Sequence, residues 1–278
     1  MTRRCCTLCC ALLLMLAFAP AAPAAGEHIL LQSTTSTQHS GFFDAVLPRF
    51  EAAHDISVRV VAVGTGQALK NAADGNGDVV LVHAREAEEA FIAAGHGIAR
   101  HPVMYNEFVI VGPRADPAGV RGSPGAAAAF ARIHASGAGF VSRGDDSGTH
   151  QRELALWSEA GMSIDPAALP WYRDSGSGMG RTLRIAAELD AYTLCDRATW
   201  IAQDAPGDLA VVYEGDPALF NQYSLILVDP RRHPHVNAPA GTVFIDWMLS
   251  AEGQAAIAAF RVNGQQLYFP NARDFEKP

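Results

Sequence analysis

Apolar residues in this chain fall into short continuous runs separated by stretches in which they recur every three or four positions. The runs at 29–31, 58–63, 79–82 and 104–111 read as buried strands, because strands covered on both faces are apolar throughout. Between them, Phe42, Phe43, Val46, Leu47 and Phe50 share one side of a helix predicted over 40–53. Further helices are predicted at 67–73 and 86–94, the latter stopped by Gly95 and Gly97. After Gly112-Pro113 the alternation restarts: helix 125–136, strand 139–142, helix 150–160, helix 182–189 and strand 192–194. Late strands follow at 209–213 and 225–228, then a closing helix or helix pair over 242–260. Strand and helix in alternation predict an α/β fold with mostly parallel sheets. Two such series joined by extended runs suggest two lobes with crossings near 110–114 and 209–220.

The strand ends are unusually rich in hydroxyls and glycine. The run ending at Leu31 leads into Ser33-Thr34-Thr35-Ser36-Thr37, the second strand into Gly64-Thr65-Gly66, and the strand 139–142 into Arg143-Gly144-Asp145-Asp146-Ser147-Gly148-Thr149. A fourth turn, Gly176-Ser177-Gly178-Met179-Gly180, precedes helix 182–189. Hydroxyls and unpaired N–H groups at the start of a helix, with the positive end of its dipole, make a seat for an anion. One such turn is ordinarily just a cap; four together argue for a site. Arg143 adds a permanent planar fork of donors suited to an oxyanion. Asp145 is expected to brace Arg143 and Asp146 to cap the following helix.

Composition sharpens this picture. Arg3 and Arg4, an apolar stretch from Leu8 to Phe18 and Ala22-Pro23-Ala24 together read as a signal peptide spanning 1–24. The mature chain is therefore expected to be exported, periplasmic and soluble. Its removal takes four of the five cysteines, leaving Cys195, which cannot form an internal disulfide or a cysteine-rich zinc site. Cys195 is expected to be a buried, inert thiol. The net charge of −8 becomes −10 without Arg3 and Arg4. Such a chain, with no basic cluster, is a poor partner for nucleic acid. Any anion must then be held by local donors against the global field. Glu86, Glu88 and Glu89 read as a solvated helix face, and Trp157, Trp171, Trp200 and Trp247 as packing residues.

Two other chemistries are weak. Ser147, His150 and an aspartate lack the G-x-S-x-G elbow, and His150 lies only three residues on, so no enzyme is expected. His83, His96, His101, His150, His233 and His235 show no paired metal-ligand spacing. No cofactor or cation site is expected.

The ordered segments TTSTQHSGFFDAVLPRFE, VVAVGTGQAL, DVVLVHA, VMYNEFVIVGP, FVSRGDDSGTH, GMGRTL, AYTLCDRATW and EGDPALFNQY span essentially the whole mature chain. In them the sequence resembles the periplasmic tungstate-binding proteins (TupA type) of ABC importers. The resemblance implies a two-lobe type II periplasmic-binding-protein fold with a two-crossing hinge: 25–111 plus 216–278 as the first lobe and 112–215 as the second. It implies oxyanion contacts at Thr34, Thr35, Ser36, Thr65, Gly66, Arg143, Ser147, Gly148, Thr149, Gly178, Met179 and Gly180. It further implies a monomer that hands tungstate or molybdate to a membrane permease with its cytoplasmic ATPase. Cys195 stands where that family is expected to carry threonine. Arg143-x-Asp145-x-Ser147-Gly148-Thr149 also resembles the loop of phosphate-binding proteins, so phosphate or another tetrahedral oxyanion stays open. Monohydrogen phosphate keeps a proton and needs a buried acceptor, whereas the metal oxyanions want donors only.

Overall fold

The computed structural model describes residues 27–203 and 206–272; the signal peptide expected at 1–24 lies outside them. The chain opens with β1 (His28–Thr34), the short α1 (Thr35–His39) and α2 (Phe42–His54), then β2 (Ser57–Val63), α3 (Thr65–Ala73), β3 (Val79–Val82) and α4 (Arg85–Ala93). β1 lies between β2 and β3, parallel to both, with Thr34 in register with Val63. That register sets the turns leaving β1 and β2 side by side.

β4 (Gly97–Pro113) is a single strand of 17 residues. Arg100, His101 and Pro102 interrupt its apolar pattern, which is why the sequence predicts only its second half. The first half is made by pairing: it runs antiparallel to β9 (Phe220–Val228), with irregularities between Gly97 and Arg100 and between Pro102 and Met104. Proline cannot donate to a ladder, so a bulge beside Pro102 is where one is tolerated. Past β4 come α5 (Ala126–Ser136), β5 (Phe140–Ser142), α6 (Gly148–Glu159), β6 (Tyr172–Asp174), α7 (Met179–Glu188), β7 (Thr193–Asp196), α8 (Arg197–Ala202) and β8 (Leu209–Tyr213). β5 and β6 are parallel, while β7 and β8 both run antiparallel to the far end of β4.

The fold is α/β with flanking helices, and its core divides along β4. Val103 and Met104 pack with Ile29, Leu31, Phe42, Phe50 and Phe244. Phe108 and Ile110, a few residues on, pack with Phe130, Phe140, Trp157 and Tyr192. Trp157 is the centre of the second cluster, edge-on to Phe130 at 4.5 Å and Phe140 at 5.2 Å between centroids. The C-terminal α9 (Ala238–Leu249) and α10 (Ala251–Ala259) return to the first cluster through Phe244, Trp247 and Ile257. Of the closing helix or helix pair expected over 242–260, the pair is found: Ser250 divides it by capping α10 through Gly253 N–H. Hairpin strands β10 (Arg261–Val262) and β11 (Gln265–Gln266) and the short β12 (Phe269–Pro270), paired with β4, are the last elements among the described residues.

Candidate functional site: an oxyanion seat between two sets of turns

Each expected turn opens a helix. Thr34 caps α1: its Oγ1 accepts the Thr37 N–H at 3.4 Å and lies 3.1 Å from Ser36 Oγ and 2.8 Å from Thr37 Oγ1. A buried knot of hydroxyls results. Thr37, fully buried, belongs to it although only its neighbours were singled out from the sequence; the unbroken hydroxyl run after a buried strand was the available signal. Gly64 caps α3 in an extended conformation, and no side chain among the described residues takes up the helix's leading amides. Gly178 does the same for α7. No side chain among the described residues caps either helix start, which leaves their dipole ends without a capping group, although Gly66 N–H in α3 is taken by the Asp146 carbonyl.

The Arg143 loop links the two sets. Thr65 Oγ1 accepts the Gly148 N–H at 3.1 Å, and Gly66 N–H donates to the Asp146 carbonyl at 3.4 Å. A Cβ built on Gly178 would stand 3.8 Å from Thr35 Oγ1. With Thr34 in register beside Val63, all four turns thus meet in one place.

Arg143 is 2% exposed. One guanidinium nitrogen, NH2, bonds to Asp145 Oδ2, and Asp145 Oδ1 accepts the Ser147 N–H at 3.2 Å. Arg143 Nε and Thr149 Oγ1 are buried with no partner among the described residues. Behind them His83 is held as a neutral imidazole: burial pulls its pKa down to about 4 and the Arg143 charge adds to this, while Asp196 opposes it. Its ring stacks on Tyr223 at 4.6 Å and Nδ1 lies 3.0 Å from Asn221 Oδ1. Among the four turns, then, Asp145 is the one carboxylate bonded to the site's cation, and Asp146, whose Oδ1 accepts from Gln151 and whose Oδ2 lies against Gly66, is the second acid on the loop; the remaining polar groups are hydroxyls, amides and one guanidinium. Such a set can bind an anion and offers a protonated ligand little to donate to.

A family profile described as a PBP superfamily domain matches residues 19–252. The chain is 43% identical over 248 residues to the tungstate-binding protein TupA of Peptoclostridium acidaminophilum, covering 88% of this chain and 86% of that one. It is 36% identical over 242 residues to the TupA of Campylobacter jejuni, covering 86% and 89%. The solved structure of the tungstate-binding protein TupA from Desulfovibrio alaskensis superposes with a TM-score of 0.77 at 44% identity, covering 89% of this chain and 100% of that one. The chain belongs to the TupA family.

Within that family frame, three sequence expectations need correction. Asp146 does not cap α6: it adopts a left-handed φ of +54° and accepts from the Gln151 side chain at 3.1 Å. The cap is Ser147, whose Oγ accepts the His150 N–H at 3.3 Å. Second, α7 begins at Met179 rather than 182, so Met179 and Gly180 form its first turn instead of a glycine loop. Gly180 faces Gln203, which a Cβ would approach to 3.0 Å. Third, Glu88 is not solvated. It is fully buried, with Oε1 accepting the Ala84 N–H at 2.7 Å and Oε2 held by Arg100 Nε at 2.6 Å. Asp145, by contrast, braces Arg143 as expected. Cys195 is buried, its thiol donating to the Asp196 carbonyl at 3.1 Å, and burial pushes its pKa well up. Ser175 was not anticipated: its Oγ donates to the Arg143 carbonyl at 3.2 Å and lies 2.7 Å from Thr182 Oγ1, tying α7 to the Arg143 loop.

Proposed function

We propose that this protein is the extracytoplasmic solute-binding component of an ABC importer, capturing tungstate, and molybdate as the oxyanion of the same charge, where the four turns meet. The observation that carries this reading is the pair of buried donors without partners among the described residues, Arg143 Nε and Thr149 Oγ1, at the junction of helix starts that no side chain there caps. A buried donor left unpaired costs ~1–3 kcal/mol, more when charged. A fully deprotonated tetrahedral dianion removes that cost at several points at once. Six to eight charge-assisted bonds at ~1.5–3 kcal/mol give roughly 9–24 kcal/mol gross, against about 4–15 kcal/mol for association and ordering. A nanomolar constant, about −12 kcal/mol, needs most of them to be well aimed. The contacts are Thr34, Thr35, Ser36, Thr65, Gly66, Arg143, Ser147, Gly148, Thr149, Gly178, Met179 and Gly180.

Two lobes are proposed, 25–111 with 216–278 and 112–215, moving about β4 and the β8–β9 connection; the two cores follow this division except that Ala198 and Ile201 pack into the first and Phe108, Ile110 and Leu219 into the second. The protein works as a monomer in the periplasm, exported by its 1–24 leader, and delivers its cargo to a permease driven by a cytoplasmic ATPase. It performs no catalysis. A phosphate reading requires a carboxylate free to take the ligand's proton. The two Asp145 oxygens already hold Arg143 and the Ser147 N–H, and Asp146 accepts from Gln151 through Oδ1, so Asp146 Oδ2, beside Gly66, is the acid that such a reading would need. The test is a thermal-shift panel of tungstate, molybdate, sulfate, phosphate and chromate on the mature protein. Tungstate and molybdate are expected to raise the melting temperature by mass action. Stabilisation by phosphate or sulfate, with none by tungstate, would replace this reading with the rival one.

A further inference from the structure

Under the Arg143 loop lies a buried carboxyl that the oxyanion reading leaves unused. Glu153, in the second turn of α6, is 1% exposed. Its Oε2 accepts the Ser142 hydroxyl at 2.7 Å, and its Oε1 accepts the Tyr172 hydroxyl at 2.8 Å and the Trp157 indole N–H at 3.2 Å. Ser142 Oγ in turn accepts the Gly144 N–H at 3.2 Å. Gly144 joins Arg143 to Asp145, with a left-handed φ of +60° and no room for a Cβ, which would stand 2.7 Å from Asp174 Cβ. A serine hydroxyl has one proton. With that proton committed to Glu153, the Ser142 lone pairs are left to receive Gly144. The backbone immediately after Arg143 is thus held by a relay of two bonds that ends on a carboxylate.

We propose that Glu153 is a positioning residue for oxyanion binding: acting through Ser142 and Gly144, its carboxylate fixes the backbone from which Arg143 reaches the ligand, so that affinity follows the charge on Glu153. The proposal rests on the oxyanion reading above. The groups facing Glu153 are Ser142 at the end of β5, Trp157 on its own helix, and Tyr172 and Asp174 on β6. Burial outweighs the three hydrogen bonds and lifts the carboxyl to about 7, with the Asp174 charge adding to the rise. Burial and the Glu153 charge push the Tyr172 hydroxyl up as well, so it stays a neutral donor. Protonation places an O–H among three donors. The indole can only donate, so the new proton turns toward the Ser142 oxygen, reversing the first bond of the relay, or toward the Tyr172 oxygen, leaving Ser142 to donate to a neutral carboxyl in place of a charged one.

The experiment is calorimetric titration of tungstate into the full mature protein from about pH 6 to about pH 8.5, a window bracketing the shifted carboxyl. Wild-type affinity is expected to fall about tenfold toward acid with an inflection near 7, and Glu153→Gln to bind about tenfold more weakly at alkaline pH with no inflection, as outer-shell partners typically do. Direct repulsion between ionised Glu153 and the dianion would instead strengthen binding toward acid. That slope, a flat wild-type profile, or a variant within about twofold of wild type at alkaline pH overturns the proposal. If Glu153→Gln does not fold, Ser142→Ala cuts the relay while leaving the Tyr172 and Trp157 bonds in place, and carries the same expectations. If wild type binds no oxyanion, the functional reading fails separately, and amide exchange on the unliganded protein decides the relay. Exchange of Gly144 N–H about tenfold faster in Ser142→Ala supports it, and unchanged protection overturns it.

Discussion

The two sides of the proposed oxyanion seat are built on different principles. The turns leaving β1 and β2 are neutral: a knot of hydroxyls at Thr34, Ser36 and Thr37, and a bare helix start at Gly64. The turn leaving β5 carries a buried guanidinium, its own counter-charge in Asp145, and a buried carboxyl underneath. The neutral side can meet any tetrahedral oxyanion with oriented dipoles and little reorganisation. The charged side must be held in place, because a buried ion with a misplaced partner costs far more than a misplaced hydroxyl. On the proposed reading, recognition by shape and recognition by charge are separated across the site, and sensitivity to mutation and pH is expected to divide in the same way.

The sharpest way to break that contrast is to remove the charge. Arg143→Ala is expected to cost ~2–4 kcal/mol of tungstate affinity by calorimetry, because the dianion loses its one full positive partner. Equal losses from Arg143→Ala and Ser36→Ala would erase the distinction between the sides. Next in size is the pH dependence of stability. Glu153 has a folded pKa of about 7 against an ordinary value of 4.5. The native state therefore binds the proton more tightly than the unfolded chain. Its contribution is fully present below the ordinary value and is lost as pH rises through about 7, on the order of 2–3 kcal/mol. Denaturant unfolding of wild type and Glu153→Gln should show this slope in the former alone. Smaller again are the neutral donors: Ser36→Ala and Thr149→Val are each expected to weaken tungstate binding by ~0.5–1.5 kcal/mol. Smallest is Gly66→Ala, whose Cβ would meet Asp146 Oδ2 at 2.3 Å. That carboxylate is the far end of a side chain tethered by one bond from Gln151, so a loss of about 0.5 kcal/mol in affinity is expected from its displacement.

How much of this could be read from the chain depends on whether the information is local. Alternating apolar runs and helical stripes announced the α/β order, and the hydroxyl and glycine turns pointed to the four helix starts, although the first helix after each strand begins inside its turn, at Thr35, Thr65, Gly148 and Met179 rather than at 40, 67, 150 and 182. What the chain could not announce was supplied by partners distant in sequence. The first half of β4 looks too polar for a strand and is one because β9 pairs with it. Glu88 sits in an acidic run that reads as solvated, yet Arg100, twelve residues on, makes its burial tolerable. Asp146 reads as a cap because aspartate favours that position, but the left-handed turn at that residue passes the role to Ser147. Ser142 and Glu153 gave no local signal at all: their partnership exists only once β5, α6 and β6 are packed.

The central claim is a place as much as a ligand. A crystal of the protein grown with tungstate, measured at a tungsten absorption edge, locates the heavy atom without reference to any assumed pose. The account predicts one strong anomalous peak enclosed by Ser36, Thr65, Arg143, Thr149 and the first turn of α7. A peak elsewhere, or tungsten bound with Arg143 turned away from it, would contradict the account.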